Sequence, residues 1–189
     1  MSLKKTQSKP TIEDWLYAGL LRFAEGGERN LTIERIAEDL GVSKGSYYYY
    51  FSDRENYIRK ILEYSIKITT EDFIETASKE KNFKNQLQAL ILNVFKSRKG
   101  KDFDFYLRDF AKNQAYAKKI MQSMDTRRIS FIAELLIHCG LKKEDAFHRA
   151  TIFYHYYLGW QSRFKNENLK LKELAAQLEI SKELLGVSF

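Results

Sequence analysis

From residue 11 to residue 164 the apolar positions recur every three or four residues and hardly ever alternate, so the pattern predicts helices and no sheet. Ile12, Trp15, Leu16, Leu20 and Phe23 predict a first helix from Thr11 to about Ala24, with Pro10 ahead of it and Gly26-Gly27 ending it. Ile33, Ile36, Ala37 and Leu40 share one face of a second helix, 32–40, with Thr32 as its N-cap. Gly41 ends it, because glycine adopts the left-handed C′ conformation without steric cost. A third helix, about 43–49, is expected to be capped by Ser43, and a longer one from Asp53 through Tyr57, Ile58, Ile61, Leu62 and Ile66 by a box of Ser52 and Glu55. Helices follow over 72–78 and 83–98, the second with Leu87, Leu90, Ile91, Val94 and Phe95 on one face. Lys99-Gly100-Lys101 breaks the pattern before a short aromatic helix containing Phe103, Phe105, Tyr106, Leu107 and Phe110. A long helix runs from about Tyr116 to Cys139, with an interruption expected near Ser123 and a stop at Gly140. The next, Lys143 to Phe164, is apolar on nearly every side, and residues 169–189 add a short amphipathic helix without an assigned role.

A helix that is apolar all round must be buried all round, and a chain this short is expected to cover only one side of 143–164. The small residues Ala150, Gly159 and Ser162 would let a second copy approach closely. The pattern therefore predicts a homodimer, with Phe131, Leu135, Phe147, Ala150, Tyr154, Leu158, Gly159 and Ser162 at the interface.

The chemistry concentrates between Thr32 and Glu55. A small residue at Ala37, a glycine turn at Gly41 and a branched plug at Val42 make the sequence form of a helix-turn-helix, whose second helix lies in the DNA major groove. That helix carries no acidic residue from Val42 to Ser52, as a surface pressed on phosphates requires. Tyr47 and Phe51, four apart, can both turn inward, leaving the hydroxyls of Tyr48, Tyr49 and Tyr50 for phosphates or base edges. Arg54, beside a helix N-terminus, completes a phosphate site.

At these residues the chain resembles the DNA-binding domain of the TetR (tetracycline repressor) family of bacterial transcription regulators. The resemblance covers Leu31 through Leu62: Thr32, Ile36-Ala37, Gly41-Val42-Ser43-Lys44-Gly45-Ser46, Tyr48-Tyr49-Tyr50-Phe51 and Arg54-Glu55. It implies DNA contacts by Lys44, Ser46, Tyr48, Tyr50 and Arg54, and a phosphate held by Thr32. With Ser43, Gly45 and Tyr49 these make the expected DNA-binding set. The family most often has His or Tyr at the site of Tyr50, Lys at Arg54, and Leu or Ile at Tyr47, which leaves the base preference open. The resemblance also implies a four-helix-bundle dimer and a small-molecule effector lodged in the body. The aromatic cluster Phe95, Phe103, Phe105, Tyr106, Phe110, Tyr157 and Trp160 is the expected ligand wall. The ligand expected there is a hydrophobic or aromatic compound, with any acidic group drawn by Lys96, Arg98 or Arg108.

Length and charge adjust this picture without replacing it. At 189 residues the chain divides into an expected helix-turn-helix head, 1–52, with a basic arm over 1–10, and a helical effector-binding and dimerisation body, 53–189. No run of 18 apolar residues predicts a membrane span, and no signal-peptide core is present. The single cysteine, Cys139, excludes an internal disulfide and fits a cytoplasmic protein. The net charge of +7 does not sit in the head: residues 1–60 hold 10 Lys/Arg against 9 Asp/Glu, and residues 81–129 hold 12 against 4. The cations expected to matter for DNA are Lys44 and Arg54, with Lys4, Lys5 and Lys9 on the arm.

Catalysis finds no support in the pattern. His148 and His155 are seven apart, about two turns, whereas ligands on one helix sit three or four apart; His138 stands elsewhere. No phosphate-binding loop, dinucleotide fingerprint or nucleophile elbow is present, so no catalytic residue, metal site or cofactor is expected. Two functions stay open: a ligand-responsive repressor of transcription binding a palindromic operator, and a helical small-molecule or protein-binding protein whose head does not read DNA.

Overall fold

The computed structural model describes residues 9–96, 102–163 and 171–189. The arm cations Lys4 and Lys5, Arg98, the break at Lys99-Gly100-Lys101 and Phe164 lie outside the described residues. Among the described residues every regular element is helical, as the apolar pattern predicts. α1 (Ile12–Gly26), α2 (Ile33–Asp39) and α3 (Gly45–Tyr50) form the head, and α4 (Arg54–Ile66) leads out of it. A π-turn, Lys67–Glu71, joins α4 without a break to α5 (Asp72–Ser78). The body continues as α6 (Phe83–Lys96), α7 (Phe103–Ala111), α8 (Ala115–His138), α9 (Lys143–Arg163) and α10 (Leu171–Leu185).

Local chemistry sets the boundaries. The Thr11 N–H donates to Asp14 Oδ2 at 2.7 Å and the Asp14 N–H donates to Thr11 Oγ1 at 3.2 Å. These bonds from Thr11 hold the Asp14 carboxyl below its ordinary range. Gly41 ends α2 at a φ of 66°, and the next N–H, of Val42, turns back to the Ala37 carbonyl at 2.9 Å. Two expected caps are displaced. α3 starts at Gly45, and it is the Ser43 carbonyl, not its hydroxyl, that bonds into the first turn, accepting from Ser46 N–H at 3.1 Å. α4 is capped by Asp53, which accepts from Asn56 N–H at 2.8 Å, while Ser52 donates to Asp53 at 3.0 Å instead of pairing with Glu55. A carboxylate is the stronger acceptor at the positive end of a helix, so Asp53 takes the position.

Two apolar clusters hold the molecule together. Trp15, Phe23, Ile36, Tyr47 and Phe51 pack with Tyr57, Ile61 and Leu62 of α4, and the same cluster runs on through Phe103 and Leu107 of α7 to Ala117 and Met124 of α8. The second joins Leu87, Ile91 and Phe95 of α6 to Phe131 and Leu136 of α8, Phe153 and Trp160 of α9, and Leu185 of α10. α8 belongs to both clusters and is uninterrupted, with no break near Ser123.

The surroundings of α9 correct the expectation that its own subunit covers one side. α8 and α10 both pack on α9, Phe95 of α6 meets Phe153, and Ala146, Ala150, Phe153 and Tyr154 are buried. Tyr156 Oη donates to Gln177 Oε1 at 2.6 Å, Arg149 Nη1 donates to the Leu184 carbonyl at 3.1 Å, and Leu174 and Leu178 pack onto the same cluster. Phe131, Leu135, Ala150 and Tyr154, expected between two copies, are therefore buried inside one subunit. Phe147, Gly159 and Ser162 remain exposed with Leu158 partly so, and Ile152 beside them is 54% exposed. A 3.6-residue period marks apolar faces but not which neighbour covers each.

Candidate nucleic-acid interface and ligand cavity

The recognition helix is fixed from behind by tyrosines. Tyr47 is fully buried, and its hydroxyl donates to the Asp53 carbonyl at 3.0 Å; burial, with Asp53 adding, pushes it up to about 12. Tyr57 donates to the Trp15 carbonyl at 2.6 Å, tying α4 to α1, and its ring lies 5.3 Å from that of Tyr47. With those two turned inward, Tyr48 and Tyr49 stand 65% and 83% exposed. Thr32, Ser43, Lys44 and Gly45 are exposed too, and Ser46 partly. Thr32 holds the N-cap position of α2 without a side-chain capping bond. Tyr50 differs: it is half-buried, and its hydroxyl donates to the Pro10 carbonyl at 3.0 Å, fastening the entry to α1.

The two expected DNA cations are both occupied. Lys44 Nζ lies 2.6 Å from Glu34 Oε1, a bond that lowers the Glu34 carboxyl. Arg54 donates to Glu28 twice, from Nη1 to Oε1 at 2.5 Å and from Nη2 to the carbonyl at 2.8 Å. These glutamates escaped the sequence reading because each pair spans two different elements, where helical spacing gives no cue.

The seven aromatics expected to line one pocket divide into groups. Phe103 and Phe110 pack on Phe23 of the head, at 5.4 and 6.1 Å between ring centres, and Tyr106 lies over Gly27. Phe95 packs on Trp160 at 4.8 Å and on Tyr157 at 5.6 Å, inside the body. Phe105 is 47% exposed and borders an open crevice with Asp102, Asp109, Lys112 and Gln161. An apolar cavity lies between the π-turn with α5 and the helices α6, α8 and α9, and it is small, about 40 Å³. Phe73, Ile74, Leu90, Val94, Ile132 and Phe153 line it, with Thr69, Thr70, Arg128, Tyr154 and Tyr157 as its polar members. Of the expected set only Tyr157 reaches this cavity.

A polar network that the sequence did not reveal braces one wall. Arg128 donates to both Asp104 oxygens at 3.0 Å, to Tyr154 Oη at 3.1 Å and to Thr70 Oγ1 at 2.9 Å. It also grips the π-turn through the Thr69 carbonyl at 3.1 Å and hydroxyl at 3.0 Å. Arg108 holds Asp125 with two bonds of 2.7 and 3.0 Å, and Tyr154 donates to Asp125 at 2.6 Å. Burial disfavours the Arg128 charge most strongly, but Asp104, Tyr154 and Tyr157 together more than offset it and the guanidinium stays protonated. Two arginines face two aspartates, so the network is neutral. Its members come from α7, α8, α9 and the π-turn, and no local motif joins them.

Elsewhere the titratable groups are structural. His138 stacks on Phe83 at 4.0 Å, and burial pushes the Cys139 thiol up. Among the described residues no group of His, Cys, Asp and Glu could hold a metal ion, and no helix is long and apolar enough to cross a membrane.

Among the described residues, the short helix α3 follows α2 through the Gly41 turn as a helix-turn-helix, packs on α1 and α4, and is followed by a helical body. Residues 18–58 match the profile of the bacterial regulatory proteins of the tetR family. No curated protein matches the chain. Among solved structures it is similar to a TetR-like transcriptional regulator from Rhodococcus sp., at 18% identity over 95% of this chain and 97% of that one, with a TM-score of 0.69. The regulator FadR of Bacillus halodurans matches at 16% identity over 96% and 97%, with a TM-score of 0.72. FadR of Bacillus subtilis, in complex with stearoyl-CoA, matches at 15% over 95% and 100%, with a TM-score of 0.64. The match to the tetR-family profile thus covers the head, and the chain as a whole shares the fold of these solved structures.

Proposed function

We propose that the chain is a cytoplasmic, effector-responsive repressor that binds a palindromic operator as a homodimer. The observation that carries this reading is a packed path from the recognition helix to the cavity. α3 packs on α4, α4 runs into the π-turn, and Thr69 and Thr70 of that turn are both cavity wall and partners of Arg128. A cavity of about 40 Å³ is far below the roughly 300 Å³ and more that small molecules occupy, so an effector must push its walls apart. The Thr69–Ile74 wall is the one continuous with the head, and a ligand shifts it by its differential affinity for the two arrangements. The wall is apolar and its buried charges are matched, with Arg108 already committed to Asp125, which favours a neutral hydrophobic effector over an acidic one. A neighbour of this fold is in complex with stearoyl-CoA, whose acyl chain is apolar although its CoA head is anionic, which supports an apolar moiety in the effector.

The outer face of α9 supports the dimer. Phe147, Ile152 and Gly159 are exposed there, and a Cβ built on Gly159 would meet nothing within 4 Å. Glycine costs a helix interior about 1 kcal/mol relative to alanine, and nothing inside the subunit requires it at this position. Close approach by a second copy accounts for it.

The test is selection of duplexes from random sequence by the purified protein, followed by mobility shifts with neutral and acidic hydrophobic compounds. Enrichment of one palindrome, released by a neutral compound more readily than by its acid counterpart, is the expected result. A protein that enriches no sequence yet is stabilised by such compounds is a helical ligand-binding protein, and the repressor reading fails.

A further inference from the structure

We propose that Glu34 and Glu28 are discrimination residues of the head: each holds a DNA-directed cation, and the pairs open only on a site where the recognition helix seats. This rests on the reading that the head binds DNA. Three observations lead to it. Lys44 and Arg54 are both ion-paired, at 2.6 and 2.5 Å, although all four side chains are 40% to 62% exposed and water could solvate them separately. α3 itself, Gly45–Tyr50, contains no charged residue, so Lys44 and Arg54 at its two flanks are its nearest cations in the chain. Finally, residues 1–60 carry 10 Lys/Arg against 9 Asp/Glu, so the head has almost no net charge to draw it to phosphates.

Such a head is poorly drawn to DNA in general. Binding without sequence preference depends on cations that neutralise phosphates and release counterions. A lysine already matched by a glutamate brings no net charge to that exchange, and its carboxylate repels the approaching phosphate. On a proper site the exposed Tyr48, Tyr49 and Ser46 can bond to the backbone or base edges and bring α3 close. A phosphate oxygen, or for Lys44 a base-edge acceptor, then replaces the carboxylate as acceptor for these two cations, Lys44 and Arg54. The two charge-assisted bonds are of the same kind, so the seated complex loses little by the exchange, whereas a loosely bound one never makes it. Glu34 and Glu28 therefore widen the gap between specific and non-specific affinity by weakening the non-specific side.

The experiment measures binding of the full chain to a mixed-sequence duplex and to the selected operator over a salt series, for Glu34→Gln, Glu28→Gln and Glu38→Gln. Glu38 lies on the same helix as Glu34, is exposed, and takes part in neither pair. Glu34→Gln and Glu28→Gln should each tighten mixed-duplex binding by roughly tenfold and steepen the log-affinity against log-salt slope by about 0.9 per cation released. Operator affinity should change less, so the specificity ratio falls, and Glu38→Gln should do little. Placed in a Lys44→Ala background, Glu34→Gln should lose most of its effect. Three results overturn the proposal: no gain on mixed sequence, a gain matched by Glu38→Gln, or an undiminished Glu34→Gln effect without Lys44. A wild-type protein that binds no duplex fails the DNA reading beneath it, and that is visible before any variant is made.

Discussion

Gly19 shows how closely single residues are fitted here. A methyl group on it would collide with the Tyr57 hydroxyl and come within 2.5 Å of Ile61 Cδ1, so α1 and α4 touch through a position without a side chain. Gly19→Ala should therefore destabilise the protein by about 1–3 kcal/mol, although alanine is the better helix former. A melting temperature that rises would place the two helices further apart than described. On the proposed DNA face, Tyr48→Phe should weaken binding to operator and unrelated DNA alike, by removing a hydroxyl proposed to bond phosphate. Lys44→Ala, if its ammonium reaches a base edge, should cost on the order of 1–3 kcal/mol and relax specificity. Competition mobility shifts on matched and mutated sites separate the two, and equal selectivity losses would reverse the roles. Tyr47 and Phe51 were legible as inward residues because four-residue spacing on a helix leaves little choice. Ser43 and Ser52 were misread as caps because several acceptors stand side by side there, and only geometry decides between Ser52 and Asp53.

At the level of the elements, α9 was legible as a buried helix but its neighbours were not. An apolar surface is the same whether α8, α10 or a second copy covers it, which is why Ala150 and Tyr154 were assigned to the wrong partner. What survives as a proposed interface is the outer face with Phe147, Ile152 and Gly159. Gly159→Arg should leave the subunit folded, since its space is open, and convert a dimer into monomer or aggregate. Light scattering that finds the same soluble dimer would move the interface elsewhere. The aromatics failed as a pocket for a related reason: Phe103 and Phe95 lie only eight residues apart but serve different clusters. The Arg128 network yields a prediction of its own. Arg128→Met leaves Asp104 without its cation and should destabilise by about 3–5 kcal/mol, while Arg128→Met with Asp104→Leu should recover much of the loss. Equal melting temperatures for the single and double variants would mean that the arginine acts through the π-turn alone.

Taken as a whole, the molecule does not come apart at the expected boundary after residue 52. The head cluster includes residues of α4, α7 and α8, so head and body share one apolar interior. Three buried tyrosines and the half-buried Tyr157 set an alkaline limit. Burial raises Tyr47 to about 12 and raises Tyr57, Tyr154 and Tyr157 as well. Each is neutral in the fold beyond the ordinary phenol value of about 10, so its contribution is complete below that pH and is lost as pH rises through the folded value. Unfolding and tyrosinate absorbance should rise together above pH ~10 in a pH titration. All 12 tyrosines ionising near the ordinary value with the fold intact would contradict the burial of these four. A last consequence follows from the π-turn at Lys67–Glu71, which amounts to an α-helix with one residue too many. Each helical residue advances the chain by about 100°, so removing one between 67 and 71 would wind α4 round by that angle relative to α5. Either the head would swing to a new azimuth, or α4 would tear from α8. A single inserted amino acid thus fixes the rotational phase in which the head is presented, independently of every residue that touches DNA.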